Sequence, residues 1–369
     1  MKMIPDSKTA LSTPIIHVVT TIMRGGAENQ LLILVAEQVR LGFPVLVLFL
    51  KGSPELGPDF ENVGAKVHYE FANIHPILQI KKLKQFLRGS LFESAVIHSH
   101  LPRAQILSAC SIRYSQTLVC SRHDEDRFYP GANKFLSRAI FHYVDRKVDS
   151  WIAISNGVKE KMISFGEAHD PSKIKVVYYG FPIPSRQKKL DKSKNGSIII
   201  GCVARLVWQK DHITLLKAFS VFVERFPDSR LLIVGDGPLR SELEKKCQEL
   251  GIQEKVTFVG KVNNVESYLH QMDIFVLPSS TEGFGLAVLE AMSANISVIA
   301  SGIPALSEVL DGKGLLFRTG DHLDLSNKMV ELADADKRAE IADGCFKRSK
   351  DFEPVKMCAE VIKVYDLVA

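Results

Sequence analysis

Residues 279–292, SSTEGFGLAVLEAM, continue from a short β-branched run, DIFVLPS (273–279), and set two carboxylates, Glu282 and Glu290, around a Gly-Phe-Gly turn and an apolar segment. A strand, a glycine turn and an apolar helix in succession form the repeating unit of a parallel α/β sheet. Unpaired charge inside such a unit is costly. Two acids there call for partners, either helix N–H groups at a cap or a ligand that offers hydrogen-bond donors.

The same unit recurs along the chain. In the first half IIHVVTTI, PVLVLFL, KVHYE, SAVIHSH, TLVCSRH, SWIAIS and IKVVYYG read as strands, with helical stretches between most of them. A proline- and lysine-bearing connection, GFPIPSRQKKLDKSKNGS (180–197), follows. The alternation then restarts with SIIIGCVARL, RLLIVGDG, KVTFVG, DIFVLPS, ISVIAS and GLLF. The expected fold is α/β: two Rossmann-like doubly wound parallel sheets facing across a cleft. Three helical stretches close the chain, and the last, PVKMCAEVIKVYDLVA, exceeds what the second sheet needs.

A chain of 369 residues suits two domains. A hydrophobic share of 46% against 24% charged residues argues against disorder. Six cysteines without a C-x-x-C pair read as reduced thiols, with neither a disulfide framework nor a zinc site. The first residues, MKMIPDSKTALSTP, lack a signal-peptide core, and no apolar run reaches membrane-spanning length. A cytoplasmic location is expected. The net charge of +5 is mild and selects no partner; nucleic acid is not expected. Its distribution says more, because ILQIKKLKQFLR (77–88) at helical spacing separates Ile80, Leu83, Phe86 and Leu87 from Lys81, Lys82, Lys84 and Arg88. That helix is either a surface helix with a solvated basic side or one that meets an anionic membrane surface.

Three glycine turns follow strands, MRGGAE, VGDGPL and TEGFGLAVLE, where backbone N–H groups and helix N-termini can approach an anion. With E-x7-E from Glu282 to Glu290, and with GGAEN, GCVARLVWQKD, LLIVGDGPLR, VTFVGKV and VIASGIPALSEVL in order, nearly the whole chain resembles the family-four retaining glycosyltransferases of the GT-B fold. The resemblance implies a nucleotide-sugar-binding C-terminal domain, residues 184–352. It also implies an acceptor-binding N-terminal domain, residues 1–183, and a final helix, 353–369, that packs back on the N-terminal domain.

By the same resemblance, Glu290 takes the ribose hydroxyls of the donor. Glu282 reaches the transferred sugar, and Gly283, Phe284, Gly285 and Leu286 meet sugar hydroxyls and phosphate. Arg205 and Lys210 stabilise the departing diphosphate without a metal, as a guanidinium and an ammonium can. Gly235 and Val262 belong to the donor site, and Gly25 and Gly26 lie opposite the diphosphate. Glu28 beside them reads as a first-turn acid. His123 matches the histidine that the family keeps beside the donor sugar, and His100 reads as structural.

His98, His100 and His123 end predicted strands, yet a metal needs a further ligand and a second shell that the sequence does not show. The DED triplet at 124–126 resembles the manganese motif of the other glycosyltransferase fold and lies in the wrong context. No cofactor is expected.

The implied function is transfer of a hexosyl or N-acetylhexosaminyl group, with retention, from a nucleoside diphosphate sugar, UDP favoured, to an acceptor hydroxyl. A glycan or lipid-linked acceptor in assembly of lipopolysaccharide, capsule or exopolysaccharide is the expected setting. Alternatives are a soluble small-molecule acceptor, a sugar-nucleotide epimerase and a non-catalytic nucleotide-sugar-binding subunit. A homodimer is left open.

Overall fold

Residues 13–129, 133–167, 169–183, 197–262 and 264–368 are described by a computed structural model. The N-terminal stretch that was read for a signal peptide falls largely outside them, as does most of the connection at 180–197. The chain forms two compact units, residues 1–180 with 352–369, and residues 181–351. These borders lie within three residues of the expected 183/184 and 352/353.

Among the described residues, the first unit holds seven parallel strands: β1 (Ile15–Val19), β2 (Val45–Phe49), β3 (Lys66–His68), β4 (Val96–His100), β5 (Thr117–Arg122), β6 (Ser150–Ala153) and β7 (Ile174–Val176). Their order is β3-β2-β1-β4-β5-β6-β7. The second unit has six, β8 (Ile199–Val203), β9 (Arg230–Val234), β10 (Val256–Gly260), β11 (Ile274–Leu277), β12 (Ser297–Ser301) and β13 (Leu315–Phe317), in the order β10-β9-β8-β11-β12-β13. Covered on both faces, β1, β2, β4, β11 and β12 are buried at every position, and of these β2 and β11 are apolar throughout.

In each sheet the order reverses beside the first strand, between β1 and β4 and between β8 and β11. Loops that leave the carboxyl ends of those neighbouring strands diverge to opposite faces, and ligands of open α/β sheets bind there. The reversal gathers residues 204–210 and 278–285 at one place, and residues 20–25 and Leu101 at another.

The final helix, Pro354–Val368, lies on the helix Gly26–Arg40 of the first unit. Its Met357, Cys358, Val361, Ile362 and Tyr365 join the core of Ile15, Leu34, Val35 and Val47. At ~25 cal/mol per Å² of apolar area, burying side chains of this size stabilises by roughly 1.5–3 kcal/mol each.

The basic helix runs from Pro76 to Phe86, with Leu83 and Leu87 buried as its spacing predicted. One cation departs from the expected solvated side. Lys82 donates to the Glu70 carbonyl (2.7 Å) and lies 5.4 Å from the centre of the Phe71 ring. Lys81, Lys84 and Arg88 remain exposed, and so do Ile77 and Leu78 at the helix start. Among the described residues no helix is long and apolar enough to cross a membrane.

Candidate active site

In the second unit, the loop after β8 carries Arg205 and Lys210. Asp211 stands in the left-handed region (φ 43°) and caps the helix His212–Arg225, accepting from the Thr214 N–H (3.3 Å) and hydroxyl (2.7 Å). Lys210 is thereby fixed at the end of a short 3-10 turn, its N–H on the Val207 carbonyl (3.0 Å). The neighbouring loop after β11 is stitched to that turn by the Ser280 N–H (2.8 Å) and hydroxyl (3.1 Å), both donating to the Gln209 carbonyl.

This stitching brings Lys210 Nζ onto Glu282 Oε1 in an ion pair that is largely out of solvent. Glu282 Oε1 also accepts from the Ser279 hydroxyl (2.9 Å). The resemblance gave these two residues separate tasks, one at the diphosphate and one at the sugar. The structure makes them each other's counter-ion. Arg205 is exposed and, among the described residues, makes no ion pair.

Gly285 (φ 93°) starts the helix Leu286–Ser293, and a Cβ there would come within 2.4 Å of Leu306 Cδ2. No side chain caps that helix, so the first-turn N–H groups of Leu286 and Ala287 have no intrahelical acceptor. Phe284 is buried beneath the turn. Glu290 is the fifth residue of the helix and borders a cavity of about 640 Å³, shared with Asn264–Leu269, Ser293, Ala294 and residues 181–183. Burial raises its carboxyl pKa from the ordinary 4.5 to about 7.

Gly235 lies in the turn that follows β9. Its N–H donates to the Gly260 carbonyl (3.0 Å), and a Cβ on it would fall 2.0 Å from the Ala204 carbonyl oxygen. Its bare Cα lets the Arg205 loop pass close to β9. Val262 is half-buried beyond β10 and does not line the Glu290 cavity, although the segment that begins at Asn264 does.

In the first unit, Gly25 precedes the helix Gly26–Arg40 in an extended conformation. Glu28 does more than supply a first-turn acid. It accepts from the Thr21 hydroxyl (2.6 Å), and its other carboxylate oxygen lies where a Gly25 Cβ would be, 2.4 Å away.

His98 occupies the middle of β4 instead of a strand end. Alternation puts His98 and His100 on one face of the sheet. The β1–β4 register sets His17 beside His98. Nothing singled out His17 in the sequence; the signal was one polar residue inside IIHVV. His17 bonds Gln38 (2.7 Å) and His100 (3.0 Å), His100 bonds His123 (3.2 Å), and His123 bonds the Tyr179 hydroxyl (2.6 Å). His98 bonds the hydroxyls of Tyr365 and Ser121, both at 2.7 Å.

Burial lowers the pKa of His17 and of His123 to about 4, and drives those of His98 and His100 well below the ordinary value. All four imidazoles are neutral at pH 7. His17, His98 and His100 offer nitrogens within 4.8 Å of one another, the third ligand that the sequence did not reveal. Both ring nitrogens of each are held in hydrogen bonds, which a metal would have to displace. The acidic triplet is engaged from within, as Asp124 lies 3.4 Å from buried Arg122, which also pairs with Glu167 (3.2 Å).

Two family models match in tandem, Glycosyltransferase Family 4 over residues 24–183 and Glycosyl transferases group 1 over residues 185–343. The chain belongs to glycosyltransferase family 4. It is 27% identical over 313 residues to the capsular polysaccharide biosynthesis glycosyltransferase CapH of Staphylococcus aureus, covering 80% of this chain and 83% of that one. It is 26% identical to the UDP-Gal:alpha-D-GlcNAc-diphosphoundecaprenol alpha-1,3-galactosyltransferase of Escherichia coli, over 74% of each. Anabaena HepE, solved with UDP, shares the fold at a TM-score of 0.83 and 22% identity, over 96% of this chain and 100% of that one. The fold is GT-B, and the enzyme is a glycosyltransferase.

Two outcomes follow from the charges. Between pH 4.5 and 7 the native state keeps the Glu290 proton that the unfolded chain has released, so stability falls as pH rises through this window. Glu290→Gln should be the more stable form above pH 7 by on the order of 2–3 kcal/mol, with the gap closing toward pH 5 in urea unfolding. In a double-mutant cycle on stability, Lys210→Ala and Glu282→Ala should each cost more than half of what the pair costs together, with a coupling of about 1–3 kcal/mol. Strict additivity would show that the ion pair is not formed in solution.

Proposed function

We propose that this glycosyltransferase moves a sugar, with retention of configuration, from a UDP-sugar to a hydroxyl of a lipid-linked acceptor during assembly of a cell-envelope polysaccharide. The observation that carries the reading is the meeting of the β8 and β11 loops. It puts two cations, a helix N-terminus and the Glu282 carboxylate at a single sheet reversal. Negative charge that develops on a departing diphosphate is stabilised by such a group of donors without a metal. Glu290, on its own cavity, supplies acceptors for vicinal ribose hydroxyls. Donor choice is supported by HepE, solved with UDP and with UDP-glucose, and by the galactosyltransferase relative that uses UDP-Gal.

Without bound donor, Lys210 is neutralised by Glu282. A diphosphate would compete for the ammonium, and Glu282 would turn to the sugar hydroxyls as Lys210 left it. The two assignments are then successive states of one pair. No carboxylate in this arrangement serves as a covalent nucleophile. The reading is attack from the face of the leaving group, with the phosphate taking the acceptor proton. Turnover of UDP-sugar should stay within about twofold in EDTA, and Lys210→Ala should lose at least tenfold, or roughly 1.4 kcal/mol. A strict manganese requirement refutes the metal-free site.

The acceptor class is supported by the relatives' names, CapH in capsular polysaccharide and a transferase to a diphosphoundecaprenol glycan. It is supported also by exposed Ile77, Leu78, Lys81, Lys84 and Arg88 on one helix and its end. Three cations near an anionic surface contribute on the order of 1 kcal/mol each. The chain should co-sediment with anionic vesicles at low salt and lose this when Lys81, Lys84 and Arg88 become Gln. Wild-type protein that stays in the supernatant favours a soluble acceptor.

A further inference from the structure

The file Gln38–His17–His100–His123–Tyr179 has a direction. Gln38 is fully buried, and its amide Nε2 donates to the Tyr365 hydroxyl (3.2 Å). Oε1 is left facing His17 Nε2 at 2.7 Å, and an amide oxygen can only accept. His17 Nε2 therefore carries the proton, and in a neutral ring Nδ1 is then an acceptor. Across 3.0 Å stands His100 Nε2, which must donate, so His100 Nδ1 accepts. Across 3.2 Å, His123 Nε2 must donate in turn, and His123 Nδ1 accepts from the Tyr179 hydroxyl at 2.6 Å. One amide fixes the proton on three imidazoles.

We propose that Gln38 sets the tautomer of His123 through His17 and His100, so that these buried residues form a positioning relay for the sugar-transfer site. Its catalytic consequence rests on the reading of His123 as the histidine beside the donor sugar; the relay itself does not.

The polarity selects chemistry at the outer end. With its proton committed to His123, Tyr179 meets any further partner through its oxygen as an acceptor, which suits a sugar hydroxyl. Burial also raises its phenol pKa, so it stays protonated. Turning the Gln38 amide over would reverse every bond in the file. His123 Nδ1–H would then donate to Tyr179, whose own proton would point outward and favour an acceptor such as a phosphate oxygen. The second branch follows the same amide: Tyr365, receiving from Gln38, donates to His98 Nδ1, and His98 Nε2–H donates to Ser121.

Two-bond proton–nitrogen correlation spectra of the full-length, ¹⁵N-labelled enzyme read each imidazole directly. In the wild type, His17, His100 and His123 should all be protonated on Nε2 and bare on Nδ1. Nδ1–H on any of the three overturns the relay, and this needs no variant to fold. Gln38→Met removes the reference acceptor; His123 should then divide between tautomers, with kcat down about tenfold and the donor KM within about twofold. An unchanged His123 tautomer in that variant also overturns the relay, whereas a mixed tautomer with unchanged kcat sinks its catalytic consequence. Full transfer by His123→Ala, with the wild-type spectrum as expected, would instead sink the donor-side reading of His123 and leave the relay standing.

Discussion

A parallel sheet that grows outward from its first strand in both directions leaves a single pair of neighbouring strands whose following loops diverge to opposite faces. The paired loops of the second unit and the histidine network of the first depend on that constraint. It operates twice, beside β1 and beside β8. In the second sheet it joins the ARLVWQKD and SSTEGFG loops, which are far apart in sequence, and the Ser280–Gln209 hydrogen bonds hold them together. In the first sheet it brings β1 against β4 and thereby turns separate histidines into one network.

Both reversal points hold their polar groups out of bulk water, and they do it differently. In the second unit the solution is charge against charge, Lys210 on Glu282, a largely desolvated pair in which removing one partner leaves the other charge uncompensated. Glu290 is lifted in pKa by desolvation alone. On the proposed function, that carboxyl is held beside its cavity for a ligand's donors. In the first unit the solution is neutrality. Imidazoles that cannot afford a charge are satisfied nitrogen by nitrogen, and a fully satisfied buried network is rigid.

The glycines and the last helix serve these sites from a distance. Gly235 admits the Ala204 carbonyl, and with it the loop that carries Arg205. The final helix does more than cover apolar surface of the first unit, because Tyr365 reaches the Gln38 amide and His98. Its place in the core and its place in the polar network are one fact.

The sequence by itself determined the strand–helix alternation, the thirteen strand segments, the break between two units and the glycine turns, since these are set by local periodicity and backbone freedom. It also determined the family, through motifs whose order survives in one dimension. Only the tertiary structure decided which side chains meet. That Lys210 neutralises Glu282 depends on loops brought together by strand order, while Lys82 leaving the basic face for Glu70 and Phe71 and Glu28 closing over Gly25 depend on how successive segments pack. His17, Gln38, Tyr179 and Tyr365 carry no motif. They become a network because a parallel register and a packed helix place them within hydrogen-bond reach, and no spacing along a chain encodes a contact between residues 38 and 365.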